Sequence, residues 1–303
     1  MDRVNKVFMN GILLIDKPSG ITSHDVVDYI RKKTGIKRIG HTGTLDPNAT
    51  GLLILCLGKA TKLSEYFVDL DKTYEGKMRL GLVSDSHDID GNIKEKNTWE
   101  DISENKIKKY ISQFVGELEQ IPPMVSAIKV GGKRLYKMAR EGLTVEREAR
   151  KVIVYEFLVL KIELPDIWFR VSCSRGTYVR TLCHDFGQKI GCGAILTELK
   201  RTKIGNYSVE NAIPLETLET KEEIQKQLIN IEQSLDLPRV ILSSFGENLF
   251  VHGNKVQSDE ILEMKDGTKE LVQVFNKQGI FLGVASVTRT AVGPSLIPKK
   301  VFI

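Results

Sequence analysis

The residues best suited to chemistry lie in two short strings of the sequence. The first string, Gly40 to Lys62, reads GHTGTLDPNATGLLILCLGKATK and carries Asp46 shortly before six consecutive apolar residues. The second string reads SRGTYVRTL and carries Tyr178 and Arg180 two positions apart. An aspartate is ionised at neutral pH, and a neighbouring guanidinium favours the charged form. These groups could supply a nucleophile or base together with a tyrosine that moves a proton.

The residues around Asp46 predict a carboxylate at the mouth of a buried strand. Pro47 biases the preceding residue toward an extended backbone. The apolar run from Leu52 to Leu57 predicts a strand that is buried on both faces. A rigid scaffold of this kind can present a loop side chain for function. Taken alone, the loop leaves a second interpretation open, an aspartate that only bonds the backbone of its own turn.

The second string has the same ambiguity. Tyr178 and Arg180 point to one face only if the chain is a strand at that point, because side chains two apart diverge on a helix. An ordinary helix start with a core tyrosine and a surface arginine is the alternative. A third candidate is Tyr74 in the alternating segment KTYEGKMRLGL, which predicts a half-buried strand. An aromatic residue on a sheet surface is common, and this is the alternative there.

The complete strings narrow these alternatives. GHTGTLDP followed by ATGLL and GKATK resembles the catalytic loop of the TruB family of tRNA pseudouridine-55 synthases, and SRGTYVRTL resembles the second pocket motif of that family. The resemblance covers nearly the whole chain and is strongest between residues 10 and 205. It implies that Asp46 is catalytic, that Tyr178 and Arg180 line its pocket, and that Tyr74 stacks on the target base.

The resemblance assigns further positions near the pocket. Lys17 and Pro18 match a lysine–proline pair close to the active cleft. His41 matches the histidine that fills the space left by an extruded nucleotide, and Leu199 matches a leucine that lines the pocket. The residues Lys200-Arg201-Thr202 lie where the family often has paired arginines, so Lys200 departs from the pattern.

A basic segment runs from Lys129 to Lys151 and holds eight basic residues against three acidic ones. Such a segment can neutralise RNA phosphates, although a solvated face with ion pairs has the same composition. The resemblance matches it to an insertion, about residues 124–151, that grips the tRNA arm. Lys129, Arg134 and Arg140 are therefore candidate RNA contacts.

The order of strand and helix signals around these residues predicts an α+β fold. Strand and helix signals alternate without the rhythm of a doubly wound fold, which favours a mixed or antiparallel sheet flanked by helices. An amphipathic helix is expected after Thr22 and Ser23, ending at Gly35. From Arg239 onward, short alternating segments predict a small β-barrel, which resembles a PUA domain. We expect a catalytic domain over 1–236 and an RNA-binding domain over 237–303.

Composition limits the remaining function classes. The net charge of +5 leans weakly toward a polyanionic partner. Four cysteines without a CxxC pair and five histidines without an HxxxH pair predict neither disulfides nor a metal site. Asp85, Asp88 and Asp90 lack the frame of a calcium loop and receive no role. The apolar runs are too short for a membrane and no secretory signal is visible, so a cytoplasmic protein is expected.

The implied reaction sets the expected chemistry and partners. Converting uridine to pseudouridine breaks the N1–C1′ bond, turns the base and joins C5 to C1′, so no cofactor is expected. Asp46 could attack the sugar or the ring, or take the 2′-proton. Tyr178 could remove the C5 proton or deliver it through water. The partner is the T-stem-loop of tRNA, with the target uridine flipped out, and we expect a monomer without an obligatory protein partner.

Two other classes of function stay open at this point. A guide-RNA-dependent synthase subunit shares these motifs, although the basic segment and the lack of long charged tails favour the stand-alone form. A non-catalytic protein that binds or folds RNA would need only the basic surface and the C-terminal domain. The intact catalytic loop argues against that role as the sole one.

Overall fold

A computed structural model describes residues 9–126, 128–135, 138, 141–143, 145–265, 267, 270–290 and 293–302. The strands are, in chain order, β1 Gly11–Lys17, β2 Ile39–His41, β3 Thr50–Leu57, β4 Lys72–Leu80, β5 Leu82–Ser84, β6 Ile93–Glu95, β7 Gly116–Gln120, β8 Lys129–Val130, β9 Lys133–Arg134, β10 Arg150–Glu163, β11 Asp166–Cys173, β12 Ala194–Ile204, β13 Tyr207–Ser208, β14 Ile213–Pro214, β15 Ile229–Asn230, β16 Arg239–Leu242, β17 Ile261–Met264, β18 Leu271–Phe275, β19 Phe281–Thr290 and β20 Gly293–Val301.

The helices lie between these strands. The α-helices are α1 Ser23–Thr34, α2 Ser64–Val68, α3 Glu104–Ile111, α4 Val179–Ile190, α5 Lys221–Lys226 and α6 Ser244–Val251. Single turns of 3₁₀ helix occur at Gly58–Leu63, Ser112–Phe114, Val209–Asn211, Leu215–Thr217, Glu232–Ser234 and Ser258–Glu260. No helix in the described part of the chain is long and apolar enough to cross a membrane.

The central sheet has eleven strands and is mixed, as the sequence predicted. Its main path is β14-β1-β3-β12-β4-β11-β10-β7. Most neighbours are antiparallel, but β3 and β12 run parallel and pair through only two residue pairs, Lys200 with Thr50 and Arg201 with Gly51. This short parallel junction joins the two halves of the sheet, and the Asp46 loop immediately precedes it.

Strand β3 is the most buried element of the sheet because both of its faces are covered. Leu53, Leu55 and Leu57 pack into one apolar core together with Val26, Val27 and Ile30 of helix α1. The alternate side chains, Leu52, Ile54 and Cys56, pack into a second core on the opposite face. The predicted strand with two buried faces is therefore confirmed.

Helix α1 begins and ends where the sequence predicted. Thr22 and Asp25 form a capping box at its start, which satisfies backbone N–H groups that have no partner within the helix. Gly35 ends the helix with a left-handed backbone, φ 73°. The buried face of α1 covers the β3 core, so the start of α1 is fixed close to the Asp46 loop.

A third core joins the other half of the sheet to helices α3 and α4. It contains Met78 of β4, Val171 of β11 and Ile107 of α3. Leu182 and Phe186 of α4 pack into the same core. Because α4 is anchored by these contacts, the residues at its first turn hold fixed positions relative to the end of β11.

The C-terminal segment forms a separate, curled sheet of five strands in the order β17-β16-β18-β19-β20. It has its own apolar core, which includes Val240, Phe250 and Val274. Phe302 packs into the second core of β3, the one that contains Leu52, Ile54 and Cys56, and Lys59 Nζ donates to its carbonyl oxygen at 2.8 Å. The small barrel expected from the sequence is thus a half-barrel that contacts the part of the chain built on the central sheet.

The parallel junction predicts a sharp effect of one methyl group. Gly51 has φ 99°, and an added Cβ would lie 2.3 Å from the carbonyl oxygen of Arg201. We expect Gly51→Ala to lower the free energy of unfolding by about 3 kcal/mol or more, because backbone strain and a backbone clash act together. Gly35→Ala is the matched control, since its φ is 73° but no atom lies within 4 Å of the added Cβ.

The two variants are compared by urea unfolding. Strain alone should cost Gly35→Ala only about 1 kcal/mol. Equal losses in the two variants would contradict the importance of the close approach between β3 and β12.

Candidate active site

The side chain of Lys17 anchors the Asp46 loop. The ammonium group of this fully buried residue donates to the carbonyl oxygens of Pro18 and Ile21, each at 2.8 Å, and of Pro47 at 3.0 Å. Burial lowers the pKa of Lys17 to about 8, with Asp46 acting in the opposite direction. All three protons are used on backbone oxygens, so Lys17 anchors the loop rather than lining the cavity.

Helix α1 holds the other side of the loop. The hydroxyl of Ser23 accepts from the backbone N–H of Leu45 at 2.9 Å and lies 3.2 Å from the carbonyl oxygen of the same residue. The backbone N–H of Gly20 donates to the carbonyl oxygen of Pro47 at 3.0 Å. The residues on both sides of Asp46 are therefore fixed by backbone contacts, which leaves its side chain free to face the cavity.

A cavity of about 530 Å³ opens in front of Asp46. It brings together four residues that the sequence had singled out for the pocket besides Asp46, namely Tyr74, Tyr178, Arg180 and Leu199. Its basic side chains are Lys72, Arg150, Lys151, Arg175, Arg180 and Arg201. Six basic groups against one carboxylate make the cavity suited to a polyanion.

Arg180 is shared between two carboxylates. Its side chain is 4% exposed, and its Nε lies 3.4 Å from Oδ2 of Asp46. Its Nη1 donates to Oδ2 of Asp88 at 3.2 Å, and its Nη2 donates to the carbonyl oxygen of Val125 at 2.5 Å. Because the contact to Asp46 is long, the Asp46 side chain keeps 40% of its surface exposed.

Burial changes the electrostatics expected from the sequence. It raises the pKa of the Asp46 carboxyl, Arg180 opposes this shift, and Asp88 adds to it. Arg180 acts as the sequence predicts, because it lowers the pKa of Asp46, but burial shifts this pKa further in the opposite direction.

Tyr178 and Arg180 both line the cavity, but Arg180 lies in the first turn of helix α4, so the two do not share the strand that the sequence argument required. Tyr178 alone is extended. It has φ −95° and ψ 104° and lies immediately before helix α4. The side chain of Gln120 accepts from its backbone N–H at 2.7 Å and donates to its carbonyl oxygen at 3.1 Å. The Arg180 guanidinium lies 5.8 Å from the centre of its ring. Burial raises the pKa of Tyr178, so its phenol is neutral at neutral pH.

Tyr74 faces the cavity from β4 and pairs across the sheet with Arg201 of β12. Tyr74 is buried, so the interpretation of a residue on the outer surface of a sheet does not apply. The fully buried Arg201 donates through Nε to the carbonyl oxygen of Leu52 at 2.7 Å and through Nη2 to that of Gly43 at 3.1 Å. It thus connects β12 to both sides of the Asp46 loop.

Two of these residues were missed by the sequence analysis. Asp88 was considered only as part of a calcium loop and was set aside. Arg201 was noted at the position of the paired arginines but received no role. In each case the spacing in sequence carries no signal for the contact, because the partners lie more than 90 residues away for Asp88 and more than 140 for Arg201.

The other predicted residues lie outside the cavity or outside the described part of the chain. His41 ends β2, its Nδ1 accepts from the N–H of Gly43 at 3.4 Å, and burial lowers its pKa. Pro18 is exposed. Lys129 and Arg134 pair with each other in the hairpin of β8 and β9, and the structure describes only the backbone of these two residues. Arg140 lies outside the described residues.

The described residues contain no group of three or more histidine, cysteine, aspartate or glutamate side chains that could hold a metal ion. All four cysteines are buried and free. Burial raises the pKa of Cys56 and of Cys173 to about 11, as expected for core thiols.

Comparison with known proteins finds matches to one protein family along most of the chain. A model described as TruB family pseudouridylate synthase (N terminal domain) matches residues 31–179, and one described as tRNA pseudouridylate synthase B C-terminal domain matches 180–262. The chain is 43% identical over 282 residues to tRNA pseudouridine synthase B of Clostridium tetani, spanning 93% of this chain and 96% of that protein. The protein of the same name from Burkholderia pseudomallei is 40% identical over 292 residues.

Solved structures share the fold. An H/ACA ribonucleoprotein bound to a substrate RNA containing 2′-deoxyuridine includes a chain with a TM-score of 0.74 and 26% identity, which covers 98% of this chain and 86% of that one. A Cbf5–Nop10–Gar1 complex gives a TM-score of 0.74 and 28% identity, with the same coverage. Because relatives with more than 40% identity span nearly the whole chain, it belongs to the TruB family of pseudouridylate synthases.

Proposed function

We propose that this chain is a tRNA pseudouridine synthase that converts the T-loop uridine to pseudouridine, with Asp46 as its catalytic carboxylate. One observation carries the proposal. The Asp46 side chain is partly exposed in a cavity of about 530 Å³ that also contains Tyr74, Tyr178 and Arg180. The relatives named tRNA pseudouridine synthase B, at 40–43% identity, support the same substrate.

The cavity suits a nucleotide that has left its stack. Its volume lies within the range of small-ligand pockets, about 300–1,000 Å³. Tyr74 offers an aromatic face for a splayed base, and Leu199 offers an apolar contact. The basic groups along the wall can neutralise the flanking phosphates. A uridine in a folded loop must be flipped out to enter.

Each catalytic side chain has a role that its surroundings support. Asp46 must be ionised either to attack the sugar or ring or to take the 2′-proton, and both routes use the same carboxylate. Arg180 stabilises the charged form and orients it. Tyr178 carries its phenolic proton at neutral pH, since burial raises its pKa. Because C5 must lose its proton and N1 must gain one, a neutral Tyr178 is better prepared to relay the C5 proton through water than to remove it directly.

The RNA extends beyond the cavity. We assign the insertion at about 124–151 to gripping the tRNA arm, with Lys129, Arg134 and Arg140 as contacts to phosphates. The catalytic domain spans 1–236, and residues 237–303 form a PUA-like domain that binds RNA. His41 fills the space that the flipped nucleotide vacates. Lys17 and Pro18 support the substrate indirectly, through the loop that carries Asp46.

The enzyme acts as a monomer in the cytoplasm, without guide RNA, cofactor or obligatory protein partner. Relatives named tRNA pseudouridine synthase B are 40–43% identical, whereas the chains from the H/ACA ribonucleoprotein and the Cbf5 complex are 26% and 28% identical. This difference favours the stand-alone enzyme. Turnover of purified tRNA that needs added guide RNA or proteins would instead indicate the partner-dependent class.

The assigned carboxylate is tested by tritium release. In tRNA that carries tritium at C5 of uridine, isomerisation exchanges this hydrogen, so release reports the reaction directly. We expect release by the purified wild-type chain and a loss of at least about 1,000-fold for Asp46→Asn, which removes the charge but keeps the shape. Binding of tRNA should change by less than about threefold, because the phosphate contacts remain.

A matched control is Asp28→Asn, which changes an exposed carboxylate of helix α1 outside the cavity. Near-normal turnover by Asp46→Asn would contradict the assigned catalytic role. Tight binding of tRNA with no release by the wild-type chain would point instead to a protein that only binds or folds RNA.

The raised pKa of Asp46 predicts an acid limb in the rate. Because the carboxylate is the active form, the single-turnover rate should rise with pH through this pKa and then level off. Arg180→Gln removes a positive charge, so the midpoint should move to higher pH. Asp88→Asn removes a negative charge, so the midpoint should move to lower pH. Midpoints that move in the same direction in both variants would contradict this electrostatic account.

A further inference from the structure

The loop between β5 and β6 contacts helix α4 at two successive residues. Asp88 accepts a hydrogen bond from Arg180, and the ring of the preceding residue, His87, stacks on His184. Arg180 and His184 are four positions apart, so they lie one turn apart on the same face of α4. The consecutive residues His87 and Asp88 therefore contact two side chains that lie one turn apart on this helix.

The stack is close and nearly parallel. The centres of the His87 and His184 rings are 3.9 Å apart, and the angle between their planes is 11°. Nδ1 of His87 also lies 3.4 Å from the hydroxyl of Thr181, the residue after Arg180. His87 thus contacts α4 at Thr181 and at His184, both of which follow Arg180 within about one turn.

The backbone of His87 is in the left-handed region, with φ 68°. Residues other than glycine are uncommon there, although histidine, asparagine and aspartate are enriched. A glycine would adopt this conformation without strain and would lack the ring. The ring contact with α4 is what distinguishes histidine from glycine at this position.

We propose that His87 and His184 are positioning residues, whose stacked rings fix Asp88 along helix α4 and thereby aim Arg180 at Asp46. The inference rests on the proposed function of the Asp46 site. Neither histidine lines the cavity, so both act through Arg180 and not on the substrate.

The charges around the pair favour a neutral stack. Burial lowers the pKa of His87 to about 3, and His184, Arg180 and Arg147 act in the same direction against Asp85. Burial also lowers the pKa of His184, with Lys96 adding to the shift. Nδ1 of His184 is buried and has no hydrogen-bond partner among the described residues. The contact is therefore ring stacking between two uncharged imidazoles.

Other contacts tie the same loop to strand β12. The backbone N–H of Leu196 donates to the carbonyl oxygen of His87 at 3.1 Å, and Asp88 forms an isolated parallel β-bridge with Leu196. Within the loop, the N–H of Asp90 donates to Oδ1 of Asp88 at 3.0 Å. Loss of the stack should therefore leave the loop attached to β12 and free only the side that faces α4.

The test compares three variants of His184 and its helix by steady-state kinetics on tRNA. We expect His184→Ala to lower kcat by about 10- to 100-fold, because misplacement by about 1 Å costs this much, while KM changes by less than about threefold. His184→Phe keeps a flat ring and should restore kcat to within about threefold of wild type. Gln188→Ala, one turn further along α4 and bonded to Lys96, is the matched control and should turn over normally.

A second variant and a substrate-free measurement guard against a folding defect. His87→Gly removes the same stack and relieves the left-handed backbone, so it should stay folded and show the same loss of kcat. Hydrogen exchange of the free protein should show faster exchange at the Asp90 amide in both stack-deficient variants. Unchanged kcat in His184→Ala and His87→Gly would overturn the proposal, as would a loss that His184→Phe does not restore. Absence of turnover by the wild-type chain would bear on the proposed function alone, because exchange reports the positioning without substrate.

Discussion

The candidate site depends on one buried guanidinium group, that of Arg180. Arg180 is almost completely removed from solvent, and a buried charge is tolerated only when it is paired and hydrogen-bonded. Its two carboxylate partners come from different parts of the chain, Asp46 from the loop before β3 and Asp88 from the loop after β5. The helix that carries Arg180, the junction of β3 with β12 and the loop that carries Asp88 must therefore all be in place together.

This arrangement also explains how Asp46 can be paired with a buried charge and still be partly exposed to the cavity. The closest carboxylate contact of Arg180 is with Asp88, at 3.2 Å, and the contact with Asp46 is longer. A tighter pair with Asp46 would lower its pKa, but it would also engage the carboxylate oxygens that face the cavity. Asp88 accepts a hydrogen bond from Nη1 of Arg180, the Nε of Arg180 has no hydrogen-bond partner among the described residues, and Asp46 keeps an exposed edge toward the cavity.

Local rules account for what the sequence predicted correctly. The strand Leu52–Leu57 and the capped helix α1 follow from an apolar run and from capping residues. The contacts of Asp88, Arg201 and Lys17 depend on sheet order and on backbone oxygens that become close only after folding. Sequence spacing carries no signal for such contacts, and the net rise in the pKa of Asp46 could not be predicted either, since it depends on burial and on Asp88.

The loop that carries Asp46 is fixed by contacts to its backbone, while the carboxylate stays partly exposed. Lys17 uses its protons on carbonyl oxygens, Ser23 contacts both backbone polar groups of Leu45, and Arg201 bonds the carbonyl oxygens of Gly43 and Leu52. All of these contacts are made to the backbone of the loop or its flanks. The backbone therefore loses its freedom before substrate arrives, and the carboxylate retains its hydrogen-bonding capacity for the transition state, which is the condition for electrostatic preorganisation.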